Sequence, residues 1–152
     1  MTSRTISSIQ NPAALTKLRW LQIGLQAAVG AILAVLVAQA VILALWPELA
    51  AFKPFNSFAR SALFTFIPAI AATAVFAWLV RTQDRSETKF LWVSAVVLLL
   101  SFIPDYLLPI PHRTLAGSTA AAFLHLIAGI VTVTLILAGY ARSQGQRYKI
   151  MP

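Results

Sequence analysis

The sequence predicts an all-α fold, a bundle of four transmembrane helices with the N and C termini on the cytoplasmic side. Of the 152 residues, 59% are hydrophobic and 11% are charged, against about 25% charged in an average soluble domain. Four long apolar runs follow one another, and the basic residues gather at alternate ends of these runs. A soluble domain of this size cannot bury so much apolar surface, so lipid is the expected solvent.

The first two predicted spans cover residues 20–46 and 61–80, and neither contains a charged residue. The first is long enough to cross a hydrocarbon core of about 30 Å at about 1.5 Å per residue. Arg60 and Arg81 closely bracket the second. Both runs are apolar on every face, unlike barrel strands, which alternate polar and apolar residues.

A secretory signal peptide is the competing interpretation of the first run. Ala38, Gln39 and Ala40 resemble a small-residue cleavage site after a basic start. The apolar run, however, is longer than the roughly 7 to 15 residues of a signal core and continues to Trp46. A transmembrane helix is therefore the preferred interpretation.

The third predicted span, residues 90–108, contains Pro104 and Asp105. A helix that stopped before the proline would fall short of the ~20 residues that a span needs, so we expect it to continue with a kink. The fourth span covers residues 115–140 and holds His125. The remaining ends are predicted to be cytoplasmic tails, residues 1–19 and the basic residues 141–152.

The distribution of basic residues predicts the orientation. Nine of the twelve Lys and Arg residues flank one side of the predicted membrane, and cytoplasmic loops carry the excess of such residues. The nine are Arg4, Lys17, Arg19, Arg81, Arg85, Lys89, Arg142, Arg147 and Lys149; the other three are Lys53, Arg60 and Arg113. Because these residues adjoin apolar runs, we expect their partner to be anionic lipid headgroups at the cytoplasmic face, with no nucleic acid.

Aromatic residues lie at the predicted span ends, as in interfacial belts. Trp20, Trp78 and Trp92 fall at inner ends, and Trp46 falls at an outer end. The first outer loop is rich in phenylalanine, and we expect its rings to dip into the headgroup region. These phenylalanines are Phe52, Phe55 and Phe58.

Small residues recur at four-residue spacing in the spans. Such stripes let helix backbones approach closely in lipid, within one chain or between copies. They motivate the principal functional prediction, a non-enzymatic inner-membrane protein that acts by helix association as an accessory subunit, scaffold or self-oligomer. The predicted packing positions are Gly30, Ala34, Ala38, Gly117, Ala121 and Gly129.

Polar residues in the spans motivate the alternative, a small transporter or proton-linked channel with an outward-facing polar pocket. Burying polar groups in hydrocarbon is costly, so they usually face protein or a wet cavity. Asp105 and His125 could there exchange a proton or hold a cation or polar ligand. The candidate pocket residues share the predicted outer half of the membrane: Gln39, Thr65, Ser101, Asp105 and His125.

Each of these polar residues also has a purely structural interpretation. Asp105 could lie at headgroup level, solvated or paired with Arg113 or His112. His125 could simply hydrogen-bond a neighbouring helix, and Ser101 could bond a carbonyl freed by Pro104.

Enzyme chemistry finds little support in the sequence. Cysteine is absent, which excludes disulfides and thiolate chemistry in this chain. Two histidines and four acidic residues, mostly in different loops, are too few for a convincing metal or two-carboxylate site. No catalytic residues, metal ligands or cofactors are therefore predicted.

The layout from Phe66 to Tyr140 resembles a family of small bacterial four-helix membrane proteins of unknown function. The resemblance lies in the basic loop LVRTQDRSETKF, the run VVLLLSFIPD and the segment FLHLIAG. It implies a bacterial inner-membrane bundle and places Ser101, Pro104 and His125 at family-like positions. It implies no particular activity.

Overall fold

The fold, described from a computed structural model, is all-helical over the described residues 15–52, 55–109 and 112–148. The helices are α1 (Lys17–Leu45), α2 (Phe58–Thr82), α3 (Ser86–Ser101), α4 (Ile103–Leu107) and α5 (Leu115–Tyr148), with a short 3₁₀ helix at Pro47–Ala51. Treating Ser86–Leu107 as one segment, four helices of the described chain are long and apolar enough to cross a membrane. The predicted all-α architecture with four spans is confirmed.

Side-chain caps set several helix starts. The Thr16 hydroxyl accepts a hydrogen bond from the Arg19 amide at 3.3 Å, and Ser57 does the same for Arg60 at 3.3 Å. Such caps satisfy amides that have no partner within the helix. Thr114 likewise accepts from the Gly117 amide at 3.0 Å, one turn into α5.

Two predicted boundaries differ from the observed helices. At the predicted kink, α3 ends at Ser101 and α4 begins at Ile103, but Phe102 between them keeps helical dihedral angles (φ −77°, ψ −23°), so Ser86–Leu107 still forms one candidate span. α5 continues to Tyr148, beyond the predicted span end at residue 140.

The possible cleavage site at residues 38–40 lies inside α1, which packs against both α2 and α5. The predicted tail residues 1–14 and 149–152, and Lys53 in the first outer loop, lie outside the described residues.

The bundle is built around α1, whose most extensive contacts are with α2 and α5. α3 completes the bundle by packing on α2 and on α5. We call the end that holds the start of α1, the α2–α3 turn and the end of α5 the tail end. The end that holds residues 46–52, 55–57, 108–109 and 112–114 is the loop end.

An aromatic cluster fills the tail end. Phe76 is fully buried, with its ring centroid 4.7 Å from that of Phe90, 5.2 Å from that of Tyr140 and 5.8 Å from that of Trp20. These four rings come from α1, α2, α3 and α5. Trp20 therefore lies at its predicted end of the span, but its side chain packs inside the bundle, whereas Trp46, Trp78 and Trp92 are exposed.

The loop end is closed by the segment between α1 and α2. Phe52 and Phe55 are each 1% exposed and pack with Ile42, Leu49 and Ala121. The prediction that these two rings dip into the headgroup region is wrong, because both are buried in a cluster with residues of α1 and α5. Phe58, at the start of α2, is 45% exposed.

Burial differs among the spans. In the most apolar 18-residue stretch of α3 and α4, 11% of the residues are buried. In the corresponding stretches of α1 and α2, 28% are buried. Phe90 is the single buried residue of α3. This helix therefore turns most of its apolar surface away from the other three spans.

Candidate functional site

The break between α3 and α4 positions Asp105. Pro104 has no amide hydrogen and cannot donate to the preceding turn, so the helix cannot continue regularly. The chain tightens instead: the Phe102 amide donates to Leu99 O at 3.3 Å, and the Asp105 amide donates to Phe102 O at 3.2 Å. These bonds span three residues, as in a 3₁₀ turn. The result is that Asp105 is buried at the loop end, with 6% exposure.

Two serine hydroxyls support this break. Ser101 Oγ donates to Leu98 O at 2.6 Å, a carbonyl that the Phe102 amide would bond in a regular helix. Ser118 Oγ of α5, in a side chain that is 2% exposed, donates to the backbone carbonyl of Asp105 at 2.6 Å. Ser101 thus bonds a carbonyl that the helix break leaves without its usual donor, and Ser118 links α4 to α5 by a hydrogen bond. Sequence reasoning missed Ser118, although a serine seven residues before His125 lies on nearly the same helix face.

The central contact joins Asp105 and His125. His125 Nε2 lies 3.2 Å from Asp105 Oδ2, and the two side chains are 43% and 8% exposed, respectively. The contact is within ion-pair distance, but Asp105 Oδ2 receives no hydrogen bond of acceptable geometry from a described residue. Asp105 is therefore not solvated, as one structural interpretation had it, and its depth in the membrane stays a prediction.

Asp105 and His125 are both groups that can bind and release a proton. An isolated carboxylate in an apolar environment is costly, so it is either protonated or paired with a cation. A neutral acid beside a neutral imidazole and a carboxylate beside an imidazolium both contain one shared proton and have zero net charge. Asp105 and His125 together can therefore hold a proton in the membrane at little electrostatic cost.

The groups around the pair are largely engaged with the backbone. Arg113 Nη1 donates to Tyr106 O at 2.6 Å and to Leu108 O at 3.0 Å, so the expected pairing of Arg113 with Asp105 is wrong. The Tyr106 hydroxyl donates to Thr119 Oγ1 at 3.4 Å. The Phe102 ring centroid lies 6.5 Å from that of His125.

Two other predicted pocket residues are also bonded to backbone carbonyls. Gln39 is fully buried and its Nε2 donates to Phe55 O at 3.0 Å, while its Oε1 has no partner among the described residues. Thr65 Oγ1 donates to Ser61 O at 2.8 Å, within α2. The structure thus brings Asp105 and His125 together, and no hydrogen bond or ion pair between described residues joins Gln39, Thr65 or Ser101 to them.

The predicted small-residue positions face other helices of the same chain at several points. A Cβ atom at Gly30 would overlap Leu135 of α5, and one at Gly117 would lie 2.9 Å from Phe52 Cδ1. Gly129 approaches Leu98 of α3, where a Cβ atom would lie 3.3 Å from Cδ1. Ala121 is buried beside Phe52, and Ala34 and Ala38 are half-buried on α1.

A groove of about 240 Å³ runs between α3 and α5, toward the tail end from the Asp105–His125 pair. Its walls are mainly aliphatic, with the hydroxyls of Ser94 and Thr134 as polar groups. The lining residues are Leu91, Ser94, Ala95, Leu98, Gly129, Ile130, Val133 and Thr134. Nowhere in the described ranges do three or more His, Asp or Glu side chains form a group that could hold a metal ion.

Four apolar spans and a buried Asp–His contact define an α-helical, multi-pass membrane protein. The chain belongs to a family of unknown function, DUF6069, whose model matches residues 16–143. The predicted resemblance to an uncharacterised family is confirmed, and the match begins just before α1, well before Phe66. Neither the curated proteins nor the solved structures include one that matches this chain.

Proposed function

We propose that this protein is a small proton-linked transporter or channel in which Asp105 and His125 together bind the proton. The observation that carries the proposal is the 3.2 Å contact between Asp105 Oδ2 and His125 Nε2. Ionisable residues inside membrane spans are costly and generally mark proton or ion pathways. Asp105 is buried from solvent and lipid, whereas the His125 side chain is 43% exposed and can exchange a proton with its surroundings.

The break beside the pair supports the same function. Transport requires a site to change its access from one side of the membrane to the other, and discontinuous helices commonly form such sites. The backbone hydrogen bonding of a regular helix is already interrupted at Phe102. α4 can therefore shift against α3 without disrupting an intact helix, and Asp105 would move with it.

Proton entry into proteoliposomes tests the proposal. An internal pH dye would follow acidification after an external acid pulse, with a potassium gradient and valinomycin to set the membrane potential. The wild type should acidify faster than protein-free vesicles, while Asp105→Asn and His125→Ala should lower the rate to that of protein-free vesicles. Asp84→Asn and His112→Ala are matched controls at exposed positions outside the helices, and they should retain the wild-type rate. Equal rates in all variants would reject the proposal.

Helix association is the second candidate function, and the exposure of α3 favours it. A lone apolar face is compatible with lipid, but a helix that buries only Phe90 leaves much surface for another membrane helix. In this proposal the protein is a non-enzymatic accessory subunit, scaffold or self-oligomer. Single cysteines at Val96 and Val97, both exposed on α3, should crosslink in native membranes, and Phe64→Cys on α2 is the control. Purification of a lone monomer without crosslinks would reject it.

We further propose that the tail end faces the cytoplasm in a bacterial inner membrane, in contact with anionic lipid headgroups. Among the described residues, Lys17, Arg19, Arg81, Arg85, Lys89 and Arg142 lie toward this end, whereas Arg60 and Arg113 lie toward the loop end. Because the chain contains no cysteine, single substitutions can report the orientation. An impermeant maleimide added to intact cells should label Asn56→Cys and leave Thr82→Cys unlabelled. The reverse pattern would invert the proposed orientation.

A further inference from the structure

We propose that α4 is a pH-sensitive latch. The contact between Asp105 and His125 holds it against α5 while this pair contains a proton, and α4 is released when the pair loses that proton. The proposal rests on the proposed proton-binding function and names the regulation of the same site. Release of α4 would give the buried carboxylate of Asp105 access to water at the loop end, where it can bind a new proton.

Hydrophobic packing does little to hold α4 in place. Asp105 is the single buried residue of this five-residue helix, and the apolar side chains of Ile103 and Leu107 are 47% and 73% exposed. Apolar side chains also gain little by moving from lipid onto a protein surface. The position of α4 against α5 therefore depends on polar contacts.

Three polar contacts between described residues join α4 to α5. Ser118 Oγ donates to Asp105 O at 2.6 Å, and the Tyr106 hydroxyl donates to Thr119 Oγ1 at 3.4 Å. These two contacts use hydroxyls and a carbonyl, which do not ionise near neutral pH. The third joins His125 Nε2 to Asp105 Oδ2 at 3.2 Å, and it is the one that a pH change near neutrality can alter.

The proton determines whether the third contact attracts. A protonated His125 beside an ionised Asp105 is an ion pair, and a protonated Asp105 has an O–H that can donate to a neutral imidazole. Without a proton, a buried carboxylate lies beside a neutral imidazole, which is unfavourable. Asp105 Oδ2 receives no hydrogen bond of acceptable geometry from a described residue that would offset this cost. Loss of the proton therefore favours movement of Asp105 toward water.

The chain on both sides of α4 allows this movement. Phe102 keeps helical dihedral angles, but its amide donates to Leu99 O at 3.3 Å, and Pro104 has no amide hydrogen to bond the preceding turn. At the other end of α4, Leu108 is extended, with φ −74° and ψ 142°. Rotation at these two points moves α4 without unwinding α3. The 43% exposed side chain of His125 is the group through which the proton leaves to the surroundings.

The other ionisable groups around α4 differ from His125 in charge or position. Arg113 keeps its charge at every pH near neutrality and donates to Tyr106 O and Leu108 O. His112, in the same loop, is exposed and titrates in the same range as His125, so it requires a control. Arg60 of α2 donates to Asn56 Oδ1 at 3.0 Å. Among the described residues of the 3₁₀ helix and of α1, α2, α3 and α5, Glu48 is exposed at the loop end and the remaining ionisable groups lie toward the tail end: Lys17, Arg19, Arg81, Glu87, Lys89, Tyr140 and Arg142.

Distance measurements between spin labels on the full chain in lipid nanodiscs test the latch. The chain contains no cysteine, so labels attach only at introduced positions. Leu107→Cys on α4 is paired with Leu21→Cys near the tail end of α1, both at exposed positions. Between about pH 5 and about pH 9, the range in which histidine titrates, the wild-type background should gain a second population. We expect it to be displaced by about 5 Å, the size of a one-turn shift of a packed helix.

The control label pair replaces Leu107→Cys by Leu99→Cys, an exposed position on α3. Its distance from the label at Leu21→Cys should be the same at every pH, because α3 does not belong to the latch. His112→Ala is the control for the second histidine and should leave the pH-dependent shift of α4 unchanged.

Substitutions in the contacts separate the latch from a merely structural role. Asp105→Asn cannot ionise, so the distance distribution should become independent of pH. His125→Gln removes the titrating imidazole and should abolish the transition or displace its midpoint. Ser118→Ala removes a contact that does not titrate, so it should raise the ratio of released to attached α4 about fivefold, or about 1 kcal/mol, and keep the pH dependence.

Each outcome supports or overturns the latch. A wild-type distribution that is the same at every pH would overturn it, as would a transition that persists in Asp105→Asn or keeps its midpoint in His125→Gln. Proton entry into proteoliposomes by a protein whose α4 does not move would overturn the latch and leave the proposed proton-linked function intact. A pH-dependent displacement without proton entry would support the latch and reject transport.

Discussion

The two ends of the bundle are stabilised in different ways. At the tail end, Trp20, Phe76, Phe90 and Tyr140 join all four spans through ring contacts. At the loop end, Phe52 and Phe55 from the connection between α1 and α2 pack in a cluster with residues of α1 and α5, and buried polar groups bond to backbone carbonyls. One end is a regular packed core, while the other combines a broken helix with an ionisable pair.

This difference indicates where motion is least costly. Rings that interdigitate from four helices resist displacement, because any shift opens cavities. The loop end contains the helix break and a buried carboxylate beside an imidazole. A protein of this kind can therefore use the tail end as a rigid base and confine a change of shape to α4 and the start of α5.

Phe76→Ala tests the tail end and should have the largest effect. Phe76 is fully buried among three other rings, so its truncation leaves a cavity at the centre of the cluster. We expect the free energy of unfolding in detergent micelles to fall by about 3 kcal/mol. This value is at the low end of the range for buried Phe→Ala substitutions, because an apolar side chain gains little by moving from lipid into the protein. Phe64→Ala, at a position 66% exposed on the same helix, is the control. Similar losses for both variants would show that ring packing does not hold this end together.

Gly30→Val tests the close approach of α1 and α5 between the two ends. A Cβ atom at Gly30 would overlap Leu135, so the variant must displace that side chain or the helix. We expect a loss of about 2 kcal/mol from overpacking, measured by the same unfolding assay. Gly145→Val is the matched control, since nothing lies within 4 Å of a Cβ atom there. If the two variants behave alike, helix propensity and not packing determines the effect.

Ser118→Ala tests the attachment of α4 to α5 at the loop end. The Ser118 hydroxyl donates to the Asp105 carbonyl of another helix, so alanine leaves that buried carbonyl without this donor. We expect a loss of about 1 kcal/mol, within the range for interhelical hydrogen bonds in membranes. Ser143→Ala is the control, because Ser143 donates to Gly139 O within its own helix and should change stability little. Hydrogen exchange should localise the loss to 103–107, and an effect spread over the whole bundle would contradict this role.

The sequence predicts the position of a residue along a helix better than the direction in which its side chain points. The four spans follow from long apolar runs, which appear in the sequence whatever the packing. The common depth of Asp105 and His125 also follows, because rise per residue fixes position along a helix. Their 3.2 Å contact does not follow, since it depends on helix rotation, and uniformly apolar helices carry little rotational signal.

The features that sequence analysis missed involve tertiary contacts of irregular backbone. Phe52 and Phe55 resemble interfacial aromatics, and their burial depends on tertiary packing with residues such as Ile42 and Ala121. Arg113 resembles a partner for Asp105, but its guanidinium instead satisfies carbonyls left open at the end of α4. A broken helix leaves backbone carbonyls without their usual amide donors. Polar side chains nearby bond to these carbonyls and are then not available to other partners.

Gln39→Leu tests whether the buried amide at the loop end serves stability, and it should have the smallest effect. Leucine removes the bond from Nε2 to Phe55 O, which costs about 0.6 kcal/mol for an average interhelical bond in a membrane. It also removes Oε1, a buried acceptor without a partner among the described residues, and this gain offsets part of the loss. We therefore expect a net change in unfolding free energy below about 0.6 kcal/mol, with Gln26→Leu at an exposed position of α1 as control. A loss much larger than that of Ser118→Ala would mean that Gln39 holds the Phe52 and Phe55 segment in place, and that the loop end is as rigid as the tail end.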